Sequence, residues 1–396
     1  MQYRTDKKTG NNISILGFGC MRFPRKNINQ IDIEKTEQLI LKAVQDGINY
    51  FDTAYVYGGS EDCLGKIIQK NNLRDKIFIA TKLPLAKCEK YGDFDNLFET
   101  QLERLRTNFI DYYLMHNLSD TKVWKNLCEI GIEKWLEEKK KANKIKNIGF
   151  SFHGTQNEFL QLLELYEWDF CQIQYNYINI NYQAGMAGLR KASEKGMPVF
   201  VMEPLLGGKL ANGLPLKAVN VFKTVNNTLS PAAWALKWLW NQKEVTVVLS
   251  GMNEKSQLEE NIKTAVNSIP NTLTKEENKA FESVIKVFND SFKIPCTGCN
   301  YCMPCPNNVN IPACFAAYNV SYTTGMASGI QQYMTSAGLL GAKENIHAAS
   351  KCTKCGKCEK NCPQHIQIIK SLEKTAKRME SMFVKMAVKI FLLLKG

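Results

Sequence analysis

Two hydrophobic rhythms alternate along the chain from residue 14 to about residue 268. One consists of short runs dominated by β-branched and aromatic residues: ISILGFG, GINYFDTA, KIFIATKLP, FIDYYLMHNL, KIKNIGFSF, DFCQIQYN, MPVFVMEP and VTVVLSG. Such runs, bounded by turn residues, read as strands buried on both faces. The other rhythm places apolar residues three and four positions apart, as in DIEKTEQLILKAVQDG and DNLFETQLERLRTN, which is the period of an amphipathic helix. Eight strand–helix units over about 250 residues predict an α/β fold, a closed parallel (β/α)8 TIM barrel rather than an open sheet. Ahead of them, QYRT and ISIL flank DKKTGNN, the pattern of a hairpin placed to plug the barrel bottom.

The rhythm changes after the helical NTLTKEENKAFESVIKVFND. Residues 291–364 hold nine of the chain's fourteen cysteines and show short helical stretches and turns without strand runs. They predict a small, mainly helical domain. Beyond residue 365, Ile369, Leu372, Ala376, Met379, Phe383, Met386, Ile390 and Leu393 step by three and four in a heptad stripe flanked by lysines. The expected organisation is a barrel over 1–290, a cysteine-rich domain over 291–364 and a basic amphipathic helix over 365–396. The stripe suits packing back onto the protein, a homodimer contact or a membrane-surface contact through 366–396.

Composition changes this picture in two places. The longest apolar clusters are too short to span a bilayer, and the opening MQYRTDKKTG lacks the apolar stretch of a signal peptide, so a cytoplasmic location is expected. In a reducing compartment, fourteen cysteines point to metal ligation rather than to disulfides. The formal charge of +13 raises nucleic acid as a partner. Ligating thiolates would lower that charge, however, and the lysines are dispersed along helices without interleaved aromatics, so no nucleic-acid partner is expected.

Catalytic groups of a parallel barrel gather where the strands end, because the loops there line the mouth. The run INYFD ends in Asp52, with Tyr57 five residues on; IFIATK ends in Lys82; DYYLMH ends in His116. Each is a polar residue closing an apolar run. Together they suit hydride transfer to a carbonyl, in which the oxygen gains negative charge and needs a proton. A tyrosine can give that proton if a neighbouring ammonium stabilises the phenolate. Lys82 would be that ammonium, Asp52 would hold it, and His116 would hydrogen-bond the carbonyl oxygen.

The segments FDTAYVYG, IATKLP and LMHNL resemble the three catalytic segments of the aldo-keto reductases, and the resemblance extends over residues 1 to about 290. It implies an NAD(P)-dependent oxidoreductase acting on a small-molecule carbonyl or alcohol, with Asp52, Tyr57, Lys82 and His116 as the catalytic tetrad. It also implies that NADPH or NADH lies against Gly19, Met21, Ser151, Gln172, Met202, Gly251, Gln257, Glu260 and Asn261. Three positions depart from that family's pattern. Phe152 follows the serine where an Asn is usual, Met202 stands where an aromatic ring commonly stacks on the nicotinamide, and Gln257 replaces an Arg that grips a 2′-phosphate, with Lys255 the nearest cation. Gln cannot reproduce the bidentate grip of a guanidinium.

The cysteines form two motifs, PCTGCNYCMPCP (295–306) and KCTKCGKCEKNCPQ (351–364). Zinc sites use separated pairs, whereas runs of C-x2-C steps favour cubane clusters. In two-cluster ferredoxins the cysteine before the proline reaches across to the other cluster. By that logic Cys296, Cys299, Cys302 and Cys362 bind one 4Fe–4S cluster, and Cys352, Cys355, Cys358 and Cys305 bind a second. The first motif has a shortened last step before its proline, which leaves Cys314 as the alternative to Cys305. With a long helical insert between the motifs, the domain resembles the helical two-cluster ferredoxins.

A hydride carries two electrons and a cluster carries one. A flavin would split the pair; the chain has no flavin motif, although barrels bind FMN without one. Two readings follow. In the first, an aldo-keto reductase-like oxidoreductase exchanges electrons through its clusters with a ferredoxin-like protein. In the second, an electron-transfer or redox-sensing iron–sulfur protein is built on a barrel with weakened nucleotide binding.

Overall fold

The computed structural model describes residues 1–27, 30–323, 325–336, 347–382 and 384. Packing divides the chain into two compact units, Met1–Leu205 with Ala232–Leu273 and Leu206–Pro231 with Thr274 onward.

All eight strand runs become strands of one closed barrel. These are β1 (Leu16–Gly19), β2 (Tyr50–Asp52), β3 (Phe78–Leu83), β4 (Ile110–Met115), β5 (Ile145–Phe152), β6 (Phe170–Gln174), β7 (Val199–Met202) and β8 (Val245–Ser250). Each pairs in parallel with its successor, and β8 closes onto β1 with Ser250 opposite Phe18. Alternation along the strands supplies two cores. Tyr50, Ala80, Tyr112, Phe170, Phe200 and Val247 fill the barrel interior, where the Tyr50 and Phe200 rings meet edge to face at 4.8 Å. Residues of opposite parity, such as Phe51, Ile79, Tyr113 and Phe150, pack outward under the helices.

The helices form for legible reasons. In Ile33–Gln45 the buried residues are Thr36, Leu39, Ile40 and Ala43, one face at three- and four-residue spacing, and the Asp32 side chain caps the start by accepting from the Lys35 N–H. Helix Tyr91–Leu105 buries Phe94, Leu97, Phe98, Gln101, Leu102 and Leu105 in the same way. Helix Ser60–Lys70 packs beside it through Gly65, where a Cβ would overlap the Arg104 carbonyl.

The expected hairpin pairs Tyr3–Thr5 with Asn12–Ser14 and seals one end of the barrel. Ile13 joins the interior core, the Tyr112 hydroxyl lies 3.1 Å from both Asp6 and Asn11, and Arg4 donates to the carbonyls of Trp240 and Gln242 at 2.6 and 2.8 Å. The mouth at the other end is left for chemistry.

The second unit is helical, with Leu216–Val225, Lys275–Ser291, Ile311–Thr323, Met326–Ser336, Lys357–Lys360 and Ile368–Met379. Its core joins Ile294, Ile311, Phe315, Tyr333, Ile368, Leu372 and Met379, with six of the motif cysteines packed against it. In the described part of the heptad stripe Leu372 and Met379 are buried and Ile369 and Ala376 half-buried, and Arg378 stacks on the Tyr322 ring at 3.9 Å and donates to Ser321 at 2.7 Å. The stripe residues Phe383, Met386, Ile390 and Leu393 lie outside the described residues. Among the described residues, no helix is long and apolar enough to cross a membrane.

Candidate functional site

Register brings three of the four candidate catalytic residues to one end of adjacent strands. Asp52 pairs with Ala80, two residues before Lys82 on the same face of β3. Both side chains are almost wholly buried, at 4 % and 1 % exposure. The Lys82 ammonium donates to both Asp52 carboxylate oxygens and to the Thr53 carbonyl, each at 2.7 Å. All three ammonium protons are thereby engaged. From behind, Gln101 donates to the Lys82 carbonyl at 3.1 Å and to Glu61 at 2.8 Å, and Thr81 donates to Glu61 at 2.6 Å, which fixes the strand that carries the lysine.

Tyr57, in the loop after β2, is half-buried, and the Lys82 nitrogen lies 5.2 Å from its ring centre. His116 follows β4 directly, and its backbone N–H donates to Leu83 at 3.1 Å. Its ring meets that of Tyr57 edge to face, 6.0 Å apart at 87°. The four residues therefore share one mouth. Burial pushes the Asp52 carboxyl up from its ordinary value, and the Lys82 ammonium pulls it back. Burial first, then the Lys82 charge and then His153, hold His116 well below the ordinary histidine value, so its ring is neutral at pH 7.

The candidate nucleotide contacts are less uniform. Ser151 accepts at its hydroxyl from the Asn117 N–H at 2.9 Å. Gln172 donates to the Met202 sulfur at 3.5 Å, and its own carbonyl oxygen is buried without a hydrogen-bond partner. An amide N–H presented from the mouth would complete it, so the residues present fit a nicotinamide carboxamide. Gly19 lies opposite Asp52 in the sheet, close enough to the Ser250 carbonyl that a Cβ would come within 3.3 Å of it. Met21 is exposed beside it, Gly251 precedes helix Lys255–Val266, and Glu260 lies in the middle of that helix. Asn261 is tied to Ser250 at 3.1 Å, and Gln257 accepts from the Asn253 N–H at 3.0 Å. Those two side chains hold the loop. Phe152 is fully buried in the outer core against Phe150 and Phe159.

In the second unit, Cys296, Cys299, Cys302 and Cys362 line one cavity, walled by Ile311, Phe315, Ile366 and Ile368. The Thr297 hydroxyl is buried at this wall without a partner and can donate to a sulfur placed there. Burial and the neighbouring Cys296, Cys299 and Cys362 push the Cys302 thiol up to about 12. Burial pushes Cys358 up to about 11, and the cysteines acting on it are Cys352 and Cys305. Seven of the eight motif cysteines thus gather in two groups, Cys296, Cys299, Cys302 and Cys362 in one and Cys305, Cys352 and Cys358 in the other. Among the described residues no three His, Cys, Asp or Glu side chains converge on a single-ion site. A cubane, whose cysteines bind separate iron corners, asks for a wider arrangement than one ion. Cys314 stands apart, fully buried, with its thiol 3.7 Å from the His347 carbonyl.

Residues 15–286 match the aldo/keto reductase family model, and residues 295–371 match that of a 4Fe-4S dicluster domain. The chain belongs to the aldo/keto reductase family. It is similar to the NADP(+) aldo-keto reductase yakc of Schizosaccharomyces pombe, 23 % identical over 320 residues that cover 70 % of this chain and 91 % of that one. It is also similar to aldo-keto reductase str7 of Strobilurus tenacellus, 26 % identical over 289 residues covering 64 % and 84 %. The fold matches the solved holo form of an aldo-keto reductase from Bacillus halodurans, with a TM-score of 0.58 and 24 % identity over 72 % of this chain and 96 % of that one. The protein is an oxidoreductase with an iron–sulfur domain appended.

Two residues of this aldo/keto reductase were not singled out from sequence. The Arg22 side chain lies against Gly251, where a Cβ would meet its Cβ, Cγ and Cδ at 3.4–3.7 Å. It brings an exposed cation to the loop before helix Lys255–Val266, where Gln257 offers none. His153 follows β5 at the mouth, 8 % exposed, with Nδ1 3.2 Å from Gln183 Oε1. Gln183 itself sits in the left-handed region, at φ of +56°. The only sequence signal for His153 was strand alternation, which returns position 153 to the face of Ser151.

Proposed function

We propose that the barrel interconverts a small-molecule carbonyl and its alcohol at Tyr57 with NADPH or NADH, and that the cysteine domain holds two 4Fe–4S clusters in electron exchange with a ferredoxin-like protein. The observation that carries the reading is the buried Asp52–Lys82 pair beneath Tyr57, with neutral His116 against the same ring. When bound, the nicotinamide supplies or accepts the hydride at the carbonyl carbon, and the clusters carry single electrons. Tyr57 gives its hydroxyl proton to the oxygen as the C–O double bond is lost, and takes it back in the reverse direction. Lys82 stabilises the phenolate left behind, and Asp52 keeps Lys82 charged and aimed. His116, uncharged, donates a hydrogen bond to the oxygen and sets its angle without competing as an acid. Ser151 and Gln172 orient the carboxamide; Cys296, Cys299, Cys302 and Cys362 hold one cluster, and Cys305, Cys352, Cys355 and Cys358 the other.

Tyr57→Phe tests the barrel half. The variant should keep its iron content and nucleotide binding and lose carbonyl turnover; retained turnover would remove the tetrad assignment. Buried Phe152 and the loop-bound Gln257 favour a second reading, an electron-transfer or redox-sensing protein on a barrel that binds nucleotide weakly. Calorimetric titration with both nucleotides separates the two, since sub-micromolar affinity is incompatible with the second.

A further inference from the structure

The two cysteine sets differ in their surroundings. The cavity of Cys296, Cys299, Cys302 and Cys362 is walled by buried aliphatic and aromatic side chains. In the other set Cys355 is exposed, and so are Thr353, Lys354, Lys357 and Lys360 around it. Lys354 pairs with Glu373 at 2.6 Å, which seats helix Ile368–Met379 beside this loop. On that helix Lys370 and Lys377 stand three residues before and four after Glu373, on the same face, and both are exposed. The carboxylate of Glu359 is turned away to accept from the Ile369 N–H at 2.9 Å. Five exposed lysines therefore lie on this loop and on the helix face paired with it, and among the described residues of these two segments the one exposed carboxylate, Glu373, is taken up by Lys354.

We propose that the Cys355 loop is the port through which this protein trades electrons, and that its partner is a small acidic one-electron carrier protein. Electron transfer needs close approach to the cluster edge, and an exposed ligand cysteine offers it on this face. These lysines supply long-range attraction and orientation to a negatively charged surface. They also disfavour a basic carrier. In each encounter the carrier's reduced iron–sulfur or flavin centre loses one electron and the cluster gains one, with no bond made and no proton required. Two encounters deliver the pair that two clusters can store. Redox encounters of this kind use small, transient interfaces, whose rates depend steeply on salt where charge guides them.

The inference rests on the cysteine domain being electron-carrying, and one experiment with separate arms keeps the two apart. Anaerobic holoprotein is mixed in a stopped-flow instrument with dithionite and with a reduced acidic plant-type ferredoxin, and cluster bleaching is followed. The ferredoxin arm should be fast and should slow by about tenfold or more between about 0.02 M and 0.5 M salt. Lys357→Glu/Lys360→Glu, which leaves the Lys354–Glu373 pair in place, should slow that arm by a similar factor with iron content and the dithionite arm unchanged. A ferredoxin rate indifferent to both salt and charge reversal overturns the docking surface and leaves the cluster assignment standing. Failure of dithionite to bleach the clusters overturns both. The salt series on the unaltered protein decides the matter even if the double variant loses iron.

Discussion

The Lys82 ammonium sits 2.7 Å from both oxygens of Asp52, and water reaches neither side chain to any extent. Such a pair is a poor source of stability, because desolvating two charges offsets most of their attraction, yet breaking it is costly. Removing Lys82 strands a buried carboxylate. Lys82→Met should therefore destabilise the barrel by about 3–5 kcal/mol, while Lys82→Met/Asp52→Asn recovers much of that loss without recovering turnover. All six tryptophans belong to the barrel unit, so denaturant unfolding followed by their fluorescence reports on it. Equal losses in the single and double variants would mean that the pair is not energetically coupled.

His116 gives a pH dependence with a definite sign. Its folded value lies well below the ordinary 6.5, so below pH 6.5 the unfolded chain binds a proton that the folded chain refuses. Its contribution is thus full above 6.5 and is lost as pH falls from there toward the depressed folded value. His116→Gln cannot take that proton, and its thermal midpoint should fall less than that of the unaltered protein between pH 7.5 and pH 5. Parallel midpoints would show that the ring titrates normally.

Arg22 against Gly251 supplies the cation missing at Gln257. Arg22→Ala should raise the KM for NADPH by about tenfold and that for NADH much less, since a guanidinium–phosphate contact is a strong charge-assisted one. Steady-state kinetics with both nucleotides checks this. An unchanged preference would place the 2′-phosphate elsewhere, or nowhere.

His153, tethered to Gln183 beside His116, is expected to touch the substrate's far side. His153→Ala should lower kcat/KM for carbonyl reduction by about tenfold, mainly through KM, because the proton still comes from Tyr57. A fall in thermal midpoint with kinetics intact would reduce His153 to a packing residue.

The parts read from sequence and those missed differ for a physical reason. Barrel strands are buried on both faces, so each prints a nearly continuous apolar run, and a polar residue that ends one, such as Asp52, Lys82 or His116, stands out. Arg22 left no such mark. It meets Gly251 only because β8 closes onto β1, a contact between distant parts of the chain that no local spacing records. At β5, family comparison drew attention to position 152, which alternation turns outward into the core, and away from His153 on the inner face. The cysteine groups were legible because each motif places three cysteines in one short loop, and the proposed ligation has each motif exchange its fourth. The lysine patch at the Cys355 loop needed the Lys354–Glu373 contact to bring a helix and a loop together.

That exchange of fourth ligands can be tested at the point where the spacing is irregular. Cys305 acts on Cys358 together with Cys352, whereas Cys314 is buried with its thiol directed at the His347 carbonyl. Cys305→Ser should halve the iron bound per chain and remove one of two reduced-cluster signals in electron paramagnetic resonance. Cys314→Ser should leave both iron and signals unchanged, at a modest cost in stability for placing a hydroxyl in the core, about 1–2 kcal/mol. Cys362→Ser should remove the other signal, because Cys362 belongs with Cys296, Cys299 and Cys302 although it lies in the second motif. If Cys305→Ser and Cys362→Ser were to remove the same signal, the two motifs would each hold their own cluster, and the crossing of ligands between them would be wrong.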